Sequence, residues 1–326
     1  MADPAIFGFL RLNGWRVACG KLRFVLLVCA MLVVPRAGSL AEDKPTPAPM
    51  PDTVVAGAML VEVYGDPRFF EGPTWDPGTQ KLYFTAFADK DTQILRLDGP
   101  GKVHVFKDNT QGVNGTYLSL DGRLLGAQAF GHRIVSYDFA TGDEQVLSHD
   151  ETWHQPNDIC QTPNGDIYFT DPDFGEGKTS SVFRLSQGKV TKVISEMAKP
   201  NGCIASNDGH TLYVGDSHHK HWKAFSIFSD GHLGEGRLFF NPKTDNRDSP
   251  DGMSIDEQGN LYFAGRGGVW VVTSTGLSRG LIPVPEFCSN LTFGGPDGKT
   301  LYLTCSKKVY QLAMQVRGGQ FREKAK

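Results

Sequence analysis

The chain has 326 residues, 40% of them hydrophobic, and a net charge of −3 with no long run of either sign. That is enough apolar material for one large domain or two small ones, and it lacks the concentrated positive face a nucleic-acid partner requires. Its 38 glycines point to many turns.

At the N-terminus, Lys21 and Arg23 precede an apolar run of eleven residues from Phe24 to Val34. Such a run is too short to cross a bilayer as a helix, so no stable membrane span is expected. "SLA" at 39–41 fits a small-x-small cleavage site. The segment 1–41 is therefore read as a signal peptide, with a buried helix or membrane anchor as the competing reading, and the mature protein as exported, periplasmic or secreted. Residues 42–52, "EDKPTPAPMPD", read as a Pro-rich linker. A propeller domain is expected over 53–316 and a C-terminal tail over 317–326. Cys19 and Cys29 would leave with the leader. Cys160, Cys203, Cys288 and Cys305 remain, with no metal spacing. They are either disulfide partners or small buried hydrophobes, and Cys288 and Cys305 could face each other across one hairpin.

Six glycine turns follow along the chain, at Gly78, Gly122, Gly165, Gly209, Gly259 and Gly298, with gaps of 44, 43, 44, 50 and 39. Each precedes an apolar or aromatic strand, as in "PNGDIYFTD" and "NDGHTLYVGD". The third unit resolves into four strands, "DICQT", "DIYFTD", "SVFRLS" and "KVTKVIS". This spacing predicts an all-β fold: a six-bladed β-propeller of four-stranded antiparallel blades. The last unit is one strand short, so the N-terminal strand "AMLVEV" is expected to close the last blade.

Eight residues before the turn glycines stand Asn114, Asn157, Asn201, Asp251 and Asn290; the first unit gives Glu71 with a one-residue offset. Singly, such residues often do no more than satisfy a turn. In common register they begin the innermost strand of each blade and converge on one mouth of the channel. Two carboxylates and several amide oxygens form a hard oxygen set that suits Ca²⁺ best, with Mg²⁺, Mn²⁺ or Zn²⁺ as alternatives. "NGT" and "NLT" are also glycosylation sequons, which a channel position would hide.

Antiparallel topology brings two more groups of segments to the same mouth. Those after each returning strand supply Asp89, His132, Asp171, Asp173, His218 and Arg266. Those before each inner strand supply His154, Lys199 and Phe287. Of these, His132, His154, Asp171, Asp173 and His218 join Asn114 and Asn290 as candidate substrate contacts. "HHKH" at 218–221 has metal-tract composition, but alternating strand residues cannot all meet one ion.

The motifs "FEGPTW", "QPNDICQTPNGDIYFTDPDFG", "PNGCIASNDGHTLYV", "SPDGMSIDEQGNLYFAG" and "NLTFGGPDGKTLYLT" together resemble the gluconolactonase, or senescence-marker-protein-30-like, family of calcium-dependent lactonases. The resemblance covers about Val61 to Val309. It implies a metal held by Glu71, Asn157, Asn201 and Asp251. The chain departs from the family pattern at Ala129-Phe130, where gluconolactonases commonly have Glu-His. It departs again at Gln155, where relatives that grip polyol lactones can carry arginine. Both departures leave the sugar lactone open. Asn114-Gly115 replaces the His-Gly of the more distant paraoxonases.

The expected reaction is hydrolysis of a small lactone, with the cation polarising the carbonyl and Asp251 as the catalytic base for water. Two other readings are a non-catalytic sugar- or protein-binding propeller with a structural ion, and a metal-dependent aryl-esterase or phosphotriesterase. No Gly-x-Ser-x-Gly elbow is present.

Overall fold

The computed structural model describes residues 48–88, 91–175 and 179–321. The expected leader, most of the linker, Asp89 and the last residues of the expected tail lie outside the described residues.

Twenty-four strands make six four-stranded antiparallel sheets, and the only helical element described is a single 3-10 turn at Gly319–Phe321. Blade 1 runs Phe69–Asp76, Lys81–Ala88, Asp91–Gly99 and Lys102–Lys107. The inner strands of blades 2 to 6 are Val113–Leu118, Ile159–Gln161, Pro200–Ala205, Met253–Ile255 and Cys288–Gly294. Each inner strand touches the inner strands of both neighbouring blades, so the ring is closed. Closure uses Val61–Gly65, which pairs antiparallel with Lys308–Ala313 as the outer strand of blade 6, with Val61 opposite Gln311. Joining first and last strands in one sheet removes the two edges that an open ring would expose.

The turn chemistry follows the sequence pattern. Gly122, Gly165, Gly209, Gly259 and Gly298 all have φ between +73° and +95°, the left-handed region a tight hairpin requires. In blade 1 that conformation falls on Gln80 instead (φ +58°), and the Asp76 carboxylate accepts the Gly78 and Thr79 N–H groups at 2.9 Å. The differently shaped turn accounts for the one-residue offset of Glu71.

Between blades the core is aromatic and aliphatic. Trp222 of blade 4 stacks on Phe263 of blade 5 with ring centroids 4.8 Å apart, and Trp75 of blade 1 stacks on Tyr302 of blade 6 at 5.6 Å. Cys160, Cys203, Cys288 and Cys305 are free, buried thiols. Cys288 and Cys305 do stand opposite each other in register, as apolar packing. Cys203 donates to the carbonyl of Tyr168, the residue across from Cys160.

Two segments read as chain ends are docked. The Leu281 N–H donates to the Pro49 carbonyl at 2.9 Å, and Arg279 forms a salt bridge with Asp52, so the end of the linker lies on blade 5. The start of the expected tail is also held: Gly318 donates to the Gly298 carbonyl, and Gln320 to that of Phe293. Among the described residues no helix is long and apolar enough to cross a membrane.

Candidate active site

The glycines that recur after the register positions have a packing cause. A Cβ on Gly115 would lie 2.7 Å from the Asn157 carbonyl, and one on Gly202 would lie 2.8 Å from the Asp251 carbonyl carbon. Only a residue without a side chain lets the next blade approach so closely. Gly72 and Gly252 do the same against Asn114 and Asn290. The inner strands are thereby drawn together at the mouth, and with them the polar residue before each glycine. Backbone bonds lock the arrangement: Gly115 N–H donates to Asn157 O, and Gly252 N–H to Ser289 O, both at 2.7 Å.

A cavity of about 510 Å³ opens at this mouth. Glu71, Asn114, Asn157, Asn201 and Asp251 line it, together with His218, Lys199, Lys220, Ser217, Ser249, Phe69 and Phe174. Five of the six register positions therefore meet in one place. Glu71, Asn157, Asn201 and Asp251 are buried, and Asn114 is half-buried. The side-chain oxygens of Asn114 and Asn201 are buried without any hydrogen-bond partner.

Asn290, the sixth, does not line the cavity. Its amide donates to Glu71 Oε2 at 2.9 Å and to Asp158 Oδ1 at 3.1 Å, and its own oxygen accepts from the Leu291 N–H. It bridges two carboxylates beside the cavity rather than contacting what the cavity holds. Asp158 was not among the sequence candidates. The pattern allowed one residue per blade, since alternate strand residues face opposite ways. The regular strand begins only at Ile159, so Asn157 and Asp158 precede it and both turn inwards. The space for Asp158 Oδ1 is the one left by the missing side chain of Gly115.

Glu71, Asp158 and Asp251 form a buried cluster of mutually repelling carboxyls. Burial pushes Glu71 up to about 7, against the opposing hydrogen bonds from Gly72 N–H and Asn290. Burial, with repulsion from Glu71, pushes Asp158 well above the usual carboxylate range. Asp251 is raised for the same two reasons, with further repulsion from Asp158 and partial relief from the Asn201 amide.

The remaining expected substrate contacts fall in different places. Asp171 accepts the His154 and Gln155 N–H groups at 3.0 and 2.7 Å, so it anchors that loop instead of facing the cavity. Neither His154 nor His132 lines the cavity. Asp173 caps its own loop, accepting from Gly175 N–H and Thr179 Oγ1. Arg266 ties down the Thr244 and Asn246 carbonyls. His218 does reach the cavity, whereas the His219 ring lies 2.9 Å from the Asp216 carboxylate in the same turn, so "HHKH" splits between the cavity and a local contact. Among the described residues no group of three or more His, Cys, Asp or Glu is arranged as a metal cluster.

The whole mouth lies inside a match over residues 69–307 to the model of the SMP-30/Gluconolactonase/LRE-like region. The chain belongs to that family. A gluconolactonase of Zymomonas mobilis is 28% identical to it over 83% of this chain and 86% of that protein. The pentonolactonase XacC of Haloferax volcanii is 28% identical over 73% and 81%. Among solved structures, XC5397 of Xanthomonas campestris, described as a gluconolactonase important in glucose secondary metabolic pathways, superposes with a TM-score of 0.72. It is 27% identical over 82% of this chain and 98% of that one.

Proposed function

We propose that this family member opens a lactone ring by hydrolysis, with a divalent cation, Ca²⁺ first, held by Glu71, Asn157, Asn201 and Asp251. The observation that carries the reading is the pairing of unpartnered amide oxygens with raised carboxyls in one cavity. Buried oxygens without donors are costly, and two carboxylates beside them repel. A hard dication satisfies both at once, and its charge matches Glu71 plus Asp251. The names of the relatives support a lactone as the substrate.

When bound, the cation supplies polarisation of the ester carbonyl and charge for the oxyanion. The side chains do the rest. Asp251 orients the attacking water, receives its proton on a carboxylate oxygen, and returns it to the ring oxygen as the acyl C–O bond breaks to give the hydroxy acid. Ser217 holds this carboxylate's strand entry, donating to the Pro250 carbonyl at 2.6 Å. Asn290 keeps Glu71 and Asp158 at fixed separation through its bridging amide. Asn114 and His218 line the cavity, and this supports them as contacts to the hydroxyl or carbonyl groups of the ring. The leader pattern supports action outside the cytoplasm.

The test is a lactone panel, δ-valerolactone to glucono-δ-lactone, run with the full mature chain and a pH indicator. Acid release that stops in a chelator and returns with Ca²⁺ is expected. Release indifferent to the chelator, or no release from any lactone while a parallel panel of aryl esters is hydrolysed, would overturn the assignment.

A further inference from the structure

The cavity has two unlike sides. Blades 4 and 5 contribute Lys199, Ser217, His218, Lys220 and Ser249. Blades 1 to 3 contribute rings. Phe69 and Phe174 line the cavity and are 38% and 41% exposed, and Phe130, outside the lining, is 47% exposed. Phe69, Phe87 and Phe130 form a connected arc. Phe69 stands opposite Phe87 across the first hairpin, and Phe87 meets Phe130 edge to face with centroids 6.5 Å apart. Phe130 is seated because Gly112 has no Cβ, which would come within 2.7 Å of its ring. Phe174 is fixed from the other side, its carbonyl accepting from Lys199 Nζ at 3.2 Å.

Single exposed rings are ordinary on a surface. Two that line one cavity, with Phe87 and Phe130 continuing from Phe69, make the apolar lining expected of a ligand site. Hydroxyls on the part of the ligand held against the phenyl rings would lack partners there, while an alkyl or aryl group in that place would exchange water for apolar surface.

We propose that Phe69, Phe130 and Phe174 form a wall for an apolar substituent on the lactone, so that the chain prefers alkyl- or aryl-substituted lactones to polyol lactones. This rests on the lactone-opening reading. The carbonyl would sit over Glu71 and Asp251, two residues along the strand from Phe69 and across the cavity respectively, and the substituent would extend outwards along the arc.

The experiment measures kcat/KM of the Ca²⁺-loaded full mature chain on δ-valerolactone, δ-hexalactone, δ-octalactone, δ-decalactone and glucono-δ-lactone. A buried methylene is worth about 0.8 kcal/mol, so kcat/KM should rise about three- to fourfold per methylene over the first few. Glucono-δ-lactone should fall below δ-octalactone. Phe69→Ser, Phe130→Ser and Phe174→Ser should each flatten the slope against chain length, and Phe174→Leu should restore most of it. A flat or falling series with glucono-δ-lactone hydrolysed, or an unchanged slope in all three serine variants, overturns the wall and leaves lactone opening intact. No hydrolysis of any lactone overturns both.

Discussion

Raising the pH while the proposed cation is withheld should loosen the propeller. Glu71 is raised from 4.5 to about 7 by burial, so between those values the folded chain keeps a proton that the unfolded chain has lost. Stability falls with pH wherever the folded state binds more protons. The contribution is fully present below pH 4.5 and lost as the pH passes about 7. At 1.36 kcal/mol per pKa unit it corresponds to about 3 kcal/mol. In a domain of this size that is roughly 6–12 °C in Tm. Asp158 and Asp251 are shifted in the same direction and add to the fall. A cation that binds only the folded chain, at a hundred times its Kd, returns about 2.7 kcal/mol. Calorimetric melts in chelator at pH 5, 6, 7 and 8, repeated with excess Ca²⁺ and with Glu71→Gln, test this. The expected pattern is a falling Tm in chelator, a smaller fall in the Gln variant, and recovery with Ca²⁺ at the upper end. A Tm that is constant or rising across this range in chelator, or a Gln variant with the full fall, refutes the acidic-cluster account.

Three further outcomes follow from the same geometry. Asp251→Asn should retain the fold by circular dichroism and lose about 10²- to 10⁴-fold in kcat on any hydrolysed lactone, the usual range for a positioned acid–base group; full activity removes Asp251 from the role of base. Asn290→Leu takes the shared donor from Glu71 and Asp158 and should cost about 1–3 kcal/mol in urea unfolding. Its kcat should fall less than that of Asp251→Asn, since Asn290 does not line the cavity. Gly115→Ala drives a methyl into Asp158 and the Asn157 carbonyl and should cost about 3 kcal/mol, read from the urea midpoint; a change below about 0.5 kcal/mol would show that the blade 2–3 approach is not tight.

Much of the fold was legible because its cause is local and repeated. A left-handed glycine in five of the six turns, a strand on each side and a near-constant period specify blades whatever surrounds them. The missing strand in the last unit also had one available partner, and Val61–Gly65 takes it. The register of Asn114, Asn157, Asn201 and Asp251 was legible for the same reason: strand starts in equivalent repeats must occupy equivalent positions about the axis. The glycine after Asn114, Asn201 and Asp251 was visible as a pattern, but its purpose, admitting the neighbouring blade, needed two blades in contact.

What the sequence could not settle is which mouth-side groups turn into the cavity and which turn to their own loops. Topology places Asp171, Asp173, His132, His154 and His218 at the same end, yet only His218 lines the cavity. The choice depends on which backbone N–H groups lie within reach, and Asp171 finds those of His154 and Gln155, seventeen and sixteen residues earlier. Asp158 was hidden by the strand alternation rule, which does not hold before a strand has begun. The Glu71–Asn290–Asp158 bridge joins blades 1, 6 and 3 across the axis, and no periodicity in one chain segment encodes such a contact. The sequence by itself determined the repeat, the closure and the polar residue each blade presents. Only the tertiary structure decided the partner of each carboxylate, because that depends on distances between segments far apart in the chain.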